Sequence, residues 1–400
     1  MQQTSYKYDI VIIGLQPWNI SLGSNCIDIA KVFSRFCRVL FVNRATDQRS
    51  ELVNYLKGIK SLRFKPKINQ FQLVNVQDNI WVLDTGIVLT SINLFKGKIY
   101  KFLLRRNNQK FASQIKRGIT QLGFKDVILF NDNDFFNGQF LKEDLAPQLY
   151  IYYLRDYLIE QSYFMRNGKL MEQALIRKAD YVFTNSTYLN NYAKQYNSSS
   201  VYVGQGTNLN IEHADQIYKR PLELEGINTP IIGYVGNLVT LRLDLELLEN
   251  VVPMRKDLNW VFVGPFDKAF EKSILRQYKH VLFTGPKSQS DLPHYIDSFD
   301  VCLNPQLLNK TTIGNYPRKV DEYMLFGKPV VARKTDFTEE LGDLVYTYEG
   351  QNDFLLQLDS ALAEQVFSEK RTLRKKSAQS HTWENSVNSM FEAMGIIIKL

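Results

Sequence analysis

Residues 315–331 read NYPRKVDEYMLFGKPVV and indicate a short helix that runs into a strand. Pro317 suits the first turn of a helix, because its ring presets φ and its missing N–H would have no partner there. Gly327 suits the residue that ends a helix. Pro329 then begins an apolar run. We therefore predict a helix that opens at Pro317 and is followed at once by a strand.

The amino end of this helix has the chemistry of a nucleotide diphosphate site. Free N–H groups and the positive end of the helix dipole at Pro317 would meet a pyrophosphate. Arg318 and Lys319 add positive charge at the same end. Glu322, about one turn further on, can accept hydrogen bonds from ribose hydroxyls. The alternative is that the stretch serves only as a helix start and a Gly-Pro turn.

Short runs rich in β-branched and aromatic residues alternate with helical patterns along the rest of the chain. This alternation is typical of βαβ units and predicts parallel sheets. Predicted strands occupy residues 8–13, 38–42, 81–83, 126–130, 149–153, 181–184, 200–203, 231–235, 260–263, 280–284, 300–303, 329–332 and 344–346. Predicted helices occupy residues 21–36, 108–122, 164–178, 187–195, 243–252, 268–275, 292–298, 318–326, 353–367 and 382–398.

A linker separates two such series of elements. Residues 206–230 include Pro221, Gly226, Asn228 and Pro230, a composition typical of a connection. The sequence therefore predicts an α/β fold with two doubly wound, Rossmann-like domains. The expected bounds are residues 1–215 with 381–400 for the first domain and residues 226–380 for the second.

Composition agrees with two domains in a water-soluble chain. The chain has 400 residues, 44% of them apolar and 22% charged. No apolar run approaches the roughly 20 residues that cross a bilayer, and residues 1–9 lack the layout of a secretory signal. Cys26, Cys37 and Cys302 show no disulfide or metal-ligand spacing. We therefore expect reduced thiols and a cytoplasmic location.

Charged residues and histidines are unevenly distributed. Residues 1–200 hold 27 Lys and Arg against 15 Asp and Glu, whereas the remainder holds 22 against 26. This asymmetry indicates an anionic partner for the first half or simply serves solubility. The chain has four histidines, of which only His213 precedes Pro221, so a histidine-centred or zinc site is disfavoured in the first half. A dehydrogenase is also excluded, because residues 14–19 lack Gly-x-Gly-x-x-Gly.

Residues 233–237 read GYVGN and residues 260–265 read WVFVGP. Together with residues 315–331, they resemble the carboxyl-terminal domain of GT-B glycosyltransferases over residues 231–335. Within this class, the sequence looks most like the large retaining, family-four-like group. That group includes bacterial cell-surface polysaccharide enzymes of the teichuronic acid type. The resemblance implies two domains that face an interdomain cleft and a carboxyl-terminal helix that crosses back to the first domain.

The resemblance also implies roles for donor-binding residues. Glu322 would bind the ribose, and Arg242 would bind the diphosphate near the loop of Gly236 and Asn237. The family often has a Glu eight residues before the ribose Glu, where this chain has Gly314. Neutral side chains at Thr311, Thr312 and Asn315 could supply hydrogen bonds instead. The expected donor-binding set is Gly236, Asn237, Arg242, Thr312, Asn315, Pro317, Arg318, Lys319 and Glu322.

In the first half, the run GLQPWN at residues 14–19 looks like the acceptor-side loop of these enzymes. Gly14 and Gly23 would let backbone approach a ligand closely. The expected acceptor-side residues are Gly14, Trp18, Asn19 and Gly23. Polar residues at the ends of later strands could face the donor sugar or could be structural turns. These catalytic candidates are Asp132, Asp134, Arg155 and Asp156.

A run of basic residues interleaved with aromatic and aliphatic residues predicts a cationic amphipathic surface. Its basic members are Lys96, Lys98, Lys101, Arg105, Arg106, Lys110, Lys116 and Arg117. Similar enzymes that act on lipid-linked acceptors dock on the cytoplasmic membrane through a basic first domain. We therefore predict peripheral attachment to the inner face of the plasma membrane. The alternative is a solvated helix over core aromatics.

These observations predict a hexosyltransferase that moves a hexosyl unit from a nucleotide diphosphate sugar to a polysaccharide or lipid-linked oligosaccharide, with retention. No metal ion or other cofactor is strictly required. The expected partners are the nucleotide sugar, the glycan acceptor and an anionic membrane surface. The acidic second half argues against nucleic acid. Two alternatives stay open: a nucleotide-sugar epimerase of GT-B form, and a catalytically inactive protein that binds sugar or an anionic polymer.

Overall fold

The computed structural model describes residues 8–20, 24–51, 70–160, 164, 166–207, 216–310, 312–364 and 368–396. The chain forms two compact units. The amino-terminal unit comprises Met1–Gly204 and Ser386–Leu400, and the carboxyl-terminal unit comprises Gln205–Asn385. The change from one unit to the other at Gly204 falls just before the predicted linker.

The amino-terminal unit is built on parallel strands. These are β1 (Asp9–Gly14), β2 (Arg38–Val42), β3 (Thr46–Asp47), β4 (Gln72–Gln77), β5 (Ile80–Asp84), β6 (Val88–Leu89), β7 (Val127–Asp132), β8 (Leu149–Leu154), β9 (Tyr181–Thr184) and β10 (Ser200–Tyr202). Eight of them form one sheet in the order β10-β9-β8-β7-β1-β2-β5-β4, in which β4 is antiparallel to β5. Strands β3 and β6 form a separate parallel pair.

Helices cover this sheet, so its central strands are buried on both faces. Every residue of β1 is buried, which explains a continuous apolar run instead of an alternating pattern. Val11, Leu40 and Leu129 from neighbouring strands share one core cluster. The helices are α1 (Asn25–Phe33), α2 (Gly97–Leu122), α3 (Leu141–Leu145), α4 (Gly168–Lys178) and α5 (Thr187–Lys194).

The carboxyl-terminal unit repeats this plan with six parallel strands. They are β11 (Ile231–Val235), β12 (Asn259–Val263), β13 (Val281–Gly285), β14 (Val301–Asn304), β15 (Val330–Arg333) and β16 (Tyr346–Tyr348), in the order β13-β12-β11-β14-β15-β16. The helices are α6 (Leu245–Val251), α7 (Lys268–Lys272), α8 (Leu292–Ser298), α9 (Arg318–Leu325), α10 (Asp336–Glu340), α11 (Gln351–Leu362) and α12 (Glu369–Ser380).

The strand order reverses at one point in each large sheet, between β1 and β7 and between β11 and β14. In open α/β sheets, ligands bind outside the carboxyl ends of the strands at such a point. In the amino-terminal unit, Gly14 and Asp132 lie there side by side in register. In the carboxyl-terminal unit, the loops after Val235 and Asn304 lie there. The two topologies therefore specify where each unit should bind its ligand.

The predicted doubly wound α/β fold is confirmed, but α2 is longer than predicted. Helix α2 begins at Gly97, whereas the apolar pattern predicts a start at residue 108. In the added turns, Ile99 and Phe102 are 60% and 65% exposed. Apolar residues on the solvent side disrupt the periodicity from which a helix is predicted, and this explains the difference.

Helix α12 is not predicted from the sequence, because it has almost no apolar stripe. Its buried residues are Arg374 and Ala378. The Arg374 guanidinium donates to both carboxylate oxygens of Glu364 at 2.6 and 2.7 Å and to the Leu344 carbonyl at 2.7 Å. This buried ion pair, with side chains 0% and 7% exposed, holds α12 in place of the usual apolar contacts.

The last helix, α13 (Trp383–Ala393), returns the chain to the amino-terminal unit. Phe391 contacts the rings of Phe33 and Phe36 edge to face, with centroids 5.4 and 6.1 Å apart. Val387 and Met390 are fully buried. The predicted return of this helix is therefore confirmed. Residues 397 and 398, at the end of the predicted helix, lie outside the described residues.

The Arg374–Glu364 pair gives a stability prediction. Replacing Arg374 by Ala should lower the free energy of unfolding by about 3 kcal/mol, because the carboxylate of Glu364 would stay buried without its cation. Urea denaturation followed by circular dichroism measures the change. Lys376→Ala is the control, since Lys376 is an exposed cation on the same helix. An Arg374→Ala protein as stable as this control would contradict the assigned role.

Candidate functional site

Helix α9 begins at Arg318, with Pro317 just before its first turn, as the sequence predicts. Val320, Met324 and Leu325 pack into a core cluster of the carboxyl-terminal unit. Because α9 precedes β15 in the parallel sheet, its amino end lies near the edge where the strands have their carboxyl ends. The first backbone N–H groups of a helix have no partner within the helix. In this chain the Arg318 and Val320 N–H groups donate to the Tyr316 and Pro317 carbonyls at 3.1 and 2.9 Å, so the helix itself contributes mainly the positive end of its dipole to this edge.

Tyr323 fixes α9 to the end of β11. Its hydroxyl accepts a hydrogen bond from the Val235 N–H at 2.8 Å and donates to the Val235 carbonyl at 3.3 Å. Tyr323 is fully buried, and burial raises the pKa of its hydroxyl. The helix and the first turn after β11 are thus held as one body.

Two glycines bring the turns after β11 and β12 together. Gly236 and Gly264 have φ angles of +146° and +139°, in a region that side chains disfavour. A Cβ on Gly264 would collide with the Gly236 carbonyl, and a Cβ on Gly236 would lie 2.6 Å from the Lys319 Nζ. The same ammonium lies 4.9 Å from the centre of the Tyr234 ring. Lys319 therefore covers the glycine turn directly.

Glu322 lies beside two cations without a hydrogen-bond partner in the described part of the chain. Its side chain is half-buried, and burial raises the pKa of its carboxyl, whereas Arg318 and Lys319 act in the opposite direction. An unpartnered carboxylate is costly to bury, so it is poised to accept hydrogen bonds from a ligand. Vicinal ribose hydroxyls are donors of the right kind.

Asp321 faces away from this edge and anchors the helix from behind. It is fully buried and accepts hydrogen bonds from the Tyr316 hydroxyl at 2.5 Å and from the His381 imidazole at 2.8 Å. Burial raises the pKa of Asp321. Sequence reasoning missed this group, because His381 lies 60 residues away and no local spacing links it to Asp321.

The loop before α9 contains both structural and available side chains. Thr312 is fully buried, and its hydroxyl donates to the Leu307 carbonyl while its N–H donates to the Asn309 side chain at 3.0 Å. Thr312 therefore holds the loop itself. Asn315 donates its N–H to the Thr312 carbonyl, and its amide side chain has no partner within the described residues. Thr311 lies outside the described residues.

Asn237 and Arg242 follow the glycine turn and are exposed. The Asn237 carbonyl accepts from Tyr234 at 3.3 Å. The Arg242 carbonyl accepts from the Leu307 N–H at 2.9 Å, which ties its loop to the loop before α9. The Arg242 guanidinium forms no ion pair with any described carboxylate. The structure thus brings most of the predicted donor-binding residues to one edge.

Three of the four catalytic candidates form a network in the amino-terminal unit, in which opposite charges are paired. The Arg155 guanidinium bonds Asp132 at 2.6 and 3.2 Å and Asp156 at 2.6 Å. Burial raises the pKa of Asp132, and Arg155 opposes this effect. The Cys26 thiol also hydrogen-bonds Asp132. This pairing favours a structural role, in which the network joins the ends of β7 and β8.

The fourth candidate, Asp134, accepts hydrogen bonds from the backbone and side chain of Asn137 at 3.0 and 2.7 Å. Asn133, with φ of +59°, uses its side-chain oxygen to bind the Arg155 N–H at 2.9 Å. These contacts are typical of tight polar turns. Within the described residues, no group of three His, Cys, Asp or Glu side chains could hold a metal ion.

Of the predicted acceptor-side residues, Gly14 lies directly beside this network. A Cβ on Gly14 would lie 3.1 Å from the Asp132 Cβ, so only glycine fits without displacement. The Trp18 N–H donates to Asn43 at 2.9 Å, and its ring contacts Phe41 edge to face at 5.2 Å. Asn19 is exposed, and Gly23 lies outside the described residues.

Comparison with known proteins agrees with this geometry. Residues 229–368 match the family of glycosyl transferases group 1. Over 240 residues, the chain is 23% identical to TuaH of Bacillus subtilis (strain 168), which is described as a teichuronic acid biosynthesis glycosyltransferase. That match covers 57% of this chain and 60% of TuaH, so the chain matches less than two thirds of this relative's length.

Solved glycosyltransferase structures share the fold. Sucrose-phosphate synthase from Thermosynechococcus elongatus superposes with a TM-score of 0.65 at 14% identity, covering 97% of this chain and 98% of that one. Anabaena Alr3699/HepE in complex with UDP and glucose gives 0.65 at 16% identity, covering 97% and 100%. Residues 229–368 of the carboxyl-terminal unit thus resemble the glycosyl transferases group 1 family, and the predicted GT-B fold is confirmed.

The contact between His381 and Asp321 makes stability depend on pH. Burial lowers the pKa of His381, but the hydrogen bond and charge of Asp321 outweigh it, so the pKa lies above its ordinary value of 6.5. The stabilisation is fully present below that ordinary pKa and is lost as pH rises through the raised pKa.

We therefore expect the urea midpoint of the carboxyl-terminal unit to be lower at pH 8 than at pH 6. In His381→Gln, the decrease between these two pH values should be smaller. Tryptophan fluorescence at both pH values measures this difference. His294→Gln is the control, because its imidazole bonds the Lys219 carbonyl instead of a carboxylate. An equal fall in the wild type and in His381→Gln would contradict the assignment.

Proposed function

We propose that the chain is a hexosyltransferase that moves a hexosyl unit from a nucleotide diphosphate sugar to a glycan acceptor, with retention. The observation that carries the proposal is Glu322, a half-buried carboxylate without a hydrogen-bond partner among the described residues. It lies about one turn into α9, the helix whose Lys319 covers a glycine turn. The glycosyl transferases group 1 match and the likeness to UDP-bound HepE support the nucleotide-sugar assignment.

The site can stabilise a departing diphosphate without a metal ion. When the bond to the sugar breaks, negative charge grows on the phosphate oxygens. The positive end of the α9 dipole, together with Lys319 and Arg318, supplies positive charge at the same edge as Gly236. Such preorganised charge favours the transition state over the ground state. Arg242 and Asn315 are the further side chains that we place around the donor.

The acceptor that we propose is a polysaccharide or lipid-linked oligosaccharide on the cytoplasmic side of the membrane. The name of the TuaH relative refers to teichuronic acid biosynthesis, and this supports a cell-surface polymer as the acceptor. No described helix of this chain is both long and apolar enough to span a bilayer. We propose that the chain reaches a lipid-linked acceptor by attachment at the membrane surface.

An apolar patch at the start of α2 suits such attachment. It consists of Leu94, Phe95, Ile99 and Phe102, which are 74%, 38%, 60% and 65% exposed. Exposed lysines interrupt it at positions 96, 98 and 101. Cations beside exposed apolar side chains are typical of surfaces that bind anionic bilayers. Arg105 is not part of this surface, because it pairs with Asp144 at 2.6 Å.

The donor site gives a binding prediction. Glu322→Ala should weaken binding of the preferred nucleoside diphosphate about 10- to 100-fold, since a hydrogen bond to a charged group contributes about 1.5–3 kcal/mol. Lys319→Ala should weaken it similarly. Calorimetry against UDP, GDP, ADP and dTDP first identifies the nucleotide and then compares the variants.

Glu340→Ala is the matched control for this experiment, because Glu340 is an exposed carboxylate of the same unit. Unchanged affinity in both Glu322→Ala and Lys319→Ala would refute the site. Incubation of the wild type with the matching nucleotide sugar should also release free diphosphate slowly. The anomeric configuration of a transferred sugar, read by NMR, tests retention.

The apolar patch gives a second prediction. The wild type should float with liposomes that contain anionic lipid, and less with neutral liposomes. The double variant Ile99→Ser and Phe102→Ser should lose most of this binding because it removes two exposed apolar side chains. Leu170→Ser is the control, since Leu170 is 70% exposed on another helix of the same unit. Flotation without any dependence on lipid charge or on these side chains would sink the idea.

A further inference from the structure

The amino-terminal unit contains a cavity of about 300 Å³ at the carboxyl ends of β1, β2 and β7. Aliphatic and aromatic side chains form much of its wall: Leu15, Leu89, Ile92, Leu104, Phe136 and Phe164. Its volume is at the low end of the range for ligand pockets. It lies at the reversal point of the sheet, where this topology places a ligand.

Three acidic and amide side chains in the wall, those of Asp47, Asn107 and Asp134, are satisfied by the protein itself. Asp47 accepts from the Ser91 hydroxyl at 2.6 Å, from the Ser50 hydroxyl at 3.0 Å and from the Arg49 N–H at 3.0 Å. Asn107 bonds both the N–H and the carbonyl of Thr90. Asp134 is bound by Asn137, as described above. These groups have little need of water inside the cavity, which favours an apolar occupant.

The two arginines of the wall differ from these side chains in the pairing of their charged groups. Arg44 and Arg49 follow β2 and β3 and are exposed. Neither guanidinium pairs with a carboxylate in the described ranges of the chain. Guanidinium groups bind phosphate oxygens through charge-assisted hydrogen bonds. The cavity therefore combines an apolar wall with two cations that have no anion of their own.

The cavity is continuous with the apolar patch of α2. Leu94 belongs to both, because it lines the cavity and is 74% exposed. Asn93 and Ile92, just before it in the chain, also line the cavity. The cavity and the patch therefore adjoin at Leu94, where a hydrocarbon chain held at the patch could enter the cavity.

We propose that this cavity binds a phosphate-bearing lipid, which is the anchor of the acceptor. Arg44 and Arg49 bind the phosphate, and the apolar wall takes the hydrocarbon next to it. Because the cavity is small, the rest of the chain stays in the bilayer beside Ile99 and Phe102. This inference rests on the proposed transferase function and names the acceptor class as lipid-linked.

Binding of soluble probes to the full chain tests the proposal. Calorimetry compares a medium-chain alkyl phosphate below its critical micelle concentration with the matching alcohol and with inorganic phosphate. The alkyl phosphate should bind at least about tenfold more tightly than either, because only it engages both the cations and the apolar wall. Binding of inorganic phosphate as tight as that of the alkyl phosphate would overturn the proposal in favour of a simple anion site.

Variants then locate the site. The double variant Arg44→Ala and Arg49→Ala should weaken alkyl phosphate binding about tenfold or more. Thr90→Phe, which fills the cavity from a half-buried position, should weaken binding of the alkyl phosphate and the alcohol alike. Arg106→Ala is the matched control, since Arg106 is exposed in the same unit and does not line the cavity. Unchanged binding in the first two variants would overturn the proposal.

The nucleotide affinity of each variant separates this proposal from the one on which it rests. All the cavity variants should bind the preferred nucleoside diphosphate like the wild type, because its site lies in the other unit. A wild type that binds nucleotide but not alkyl phosphate overturns only the lipid assignment. A wild type that binds no nucleotide overturns the transferase function itself.

Discussion

The site in the carboxyl-terminal unit depends on one constraint, the attachment of α9 to the end of β11 through the Tyr323 hydroxyl. This buried group satisfies both polar atoms of Val235 just before the chain turns at Gly236. If α9 moved, the buried N–H and carbonyl would lose their partner, at a cost of about 1–3 kcal/mol for each unsatisfied group. The position of Lys319 over the glycine turn, and of Glu322 beside it, follows from this attachment.

The polar residues near the carboxyl edges of the two sheets differ in how their hydrogen bonds are satisfied. At the end of β7, the charges of Asp132 and Arg155 neutralise each other, so they shape the edge without offering a free group. At α9, Glu322 has no hydrogen-bond partner among the described residues, so its carboxylate can still accept hydrogen bonds. Position at a strand end therefore does not distinguish a binding residue from a structural one. The state of its hydrogen bonds does.

The sequence predicts those features of the structure that depend on residues close together in the chain. Helix α9 is predicted within one residue, because Pro317 and Gly327 mark its ends locally and its apolar positions keep a regular period. The doubly wound sheets are predicted because local apolar runs that alternate with helical patterns mark their strands. The pairing of Asp321 with His381 joins residues that are far apart in the chain, and no local pattern carries it. The same holds for Arg155 with Asp132 and for the Arg374 pair that replaces an apolar stripe in α12.

The return of α13 makes the amino-terminal unit discontinuous in the chain. Phe33 and Phe36 leave the ribosome before the second unit is made, whereas their partner Phe391 leaves it only afterwards. Domains usually fold in order as they emerge. Here the first unit to be translated must keep an uncovered aromatic surface until the whole second unit has been made. Nascent chains of this protein should therefore depend on chaperones that shield such surfaces.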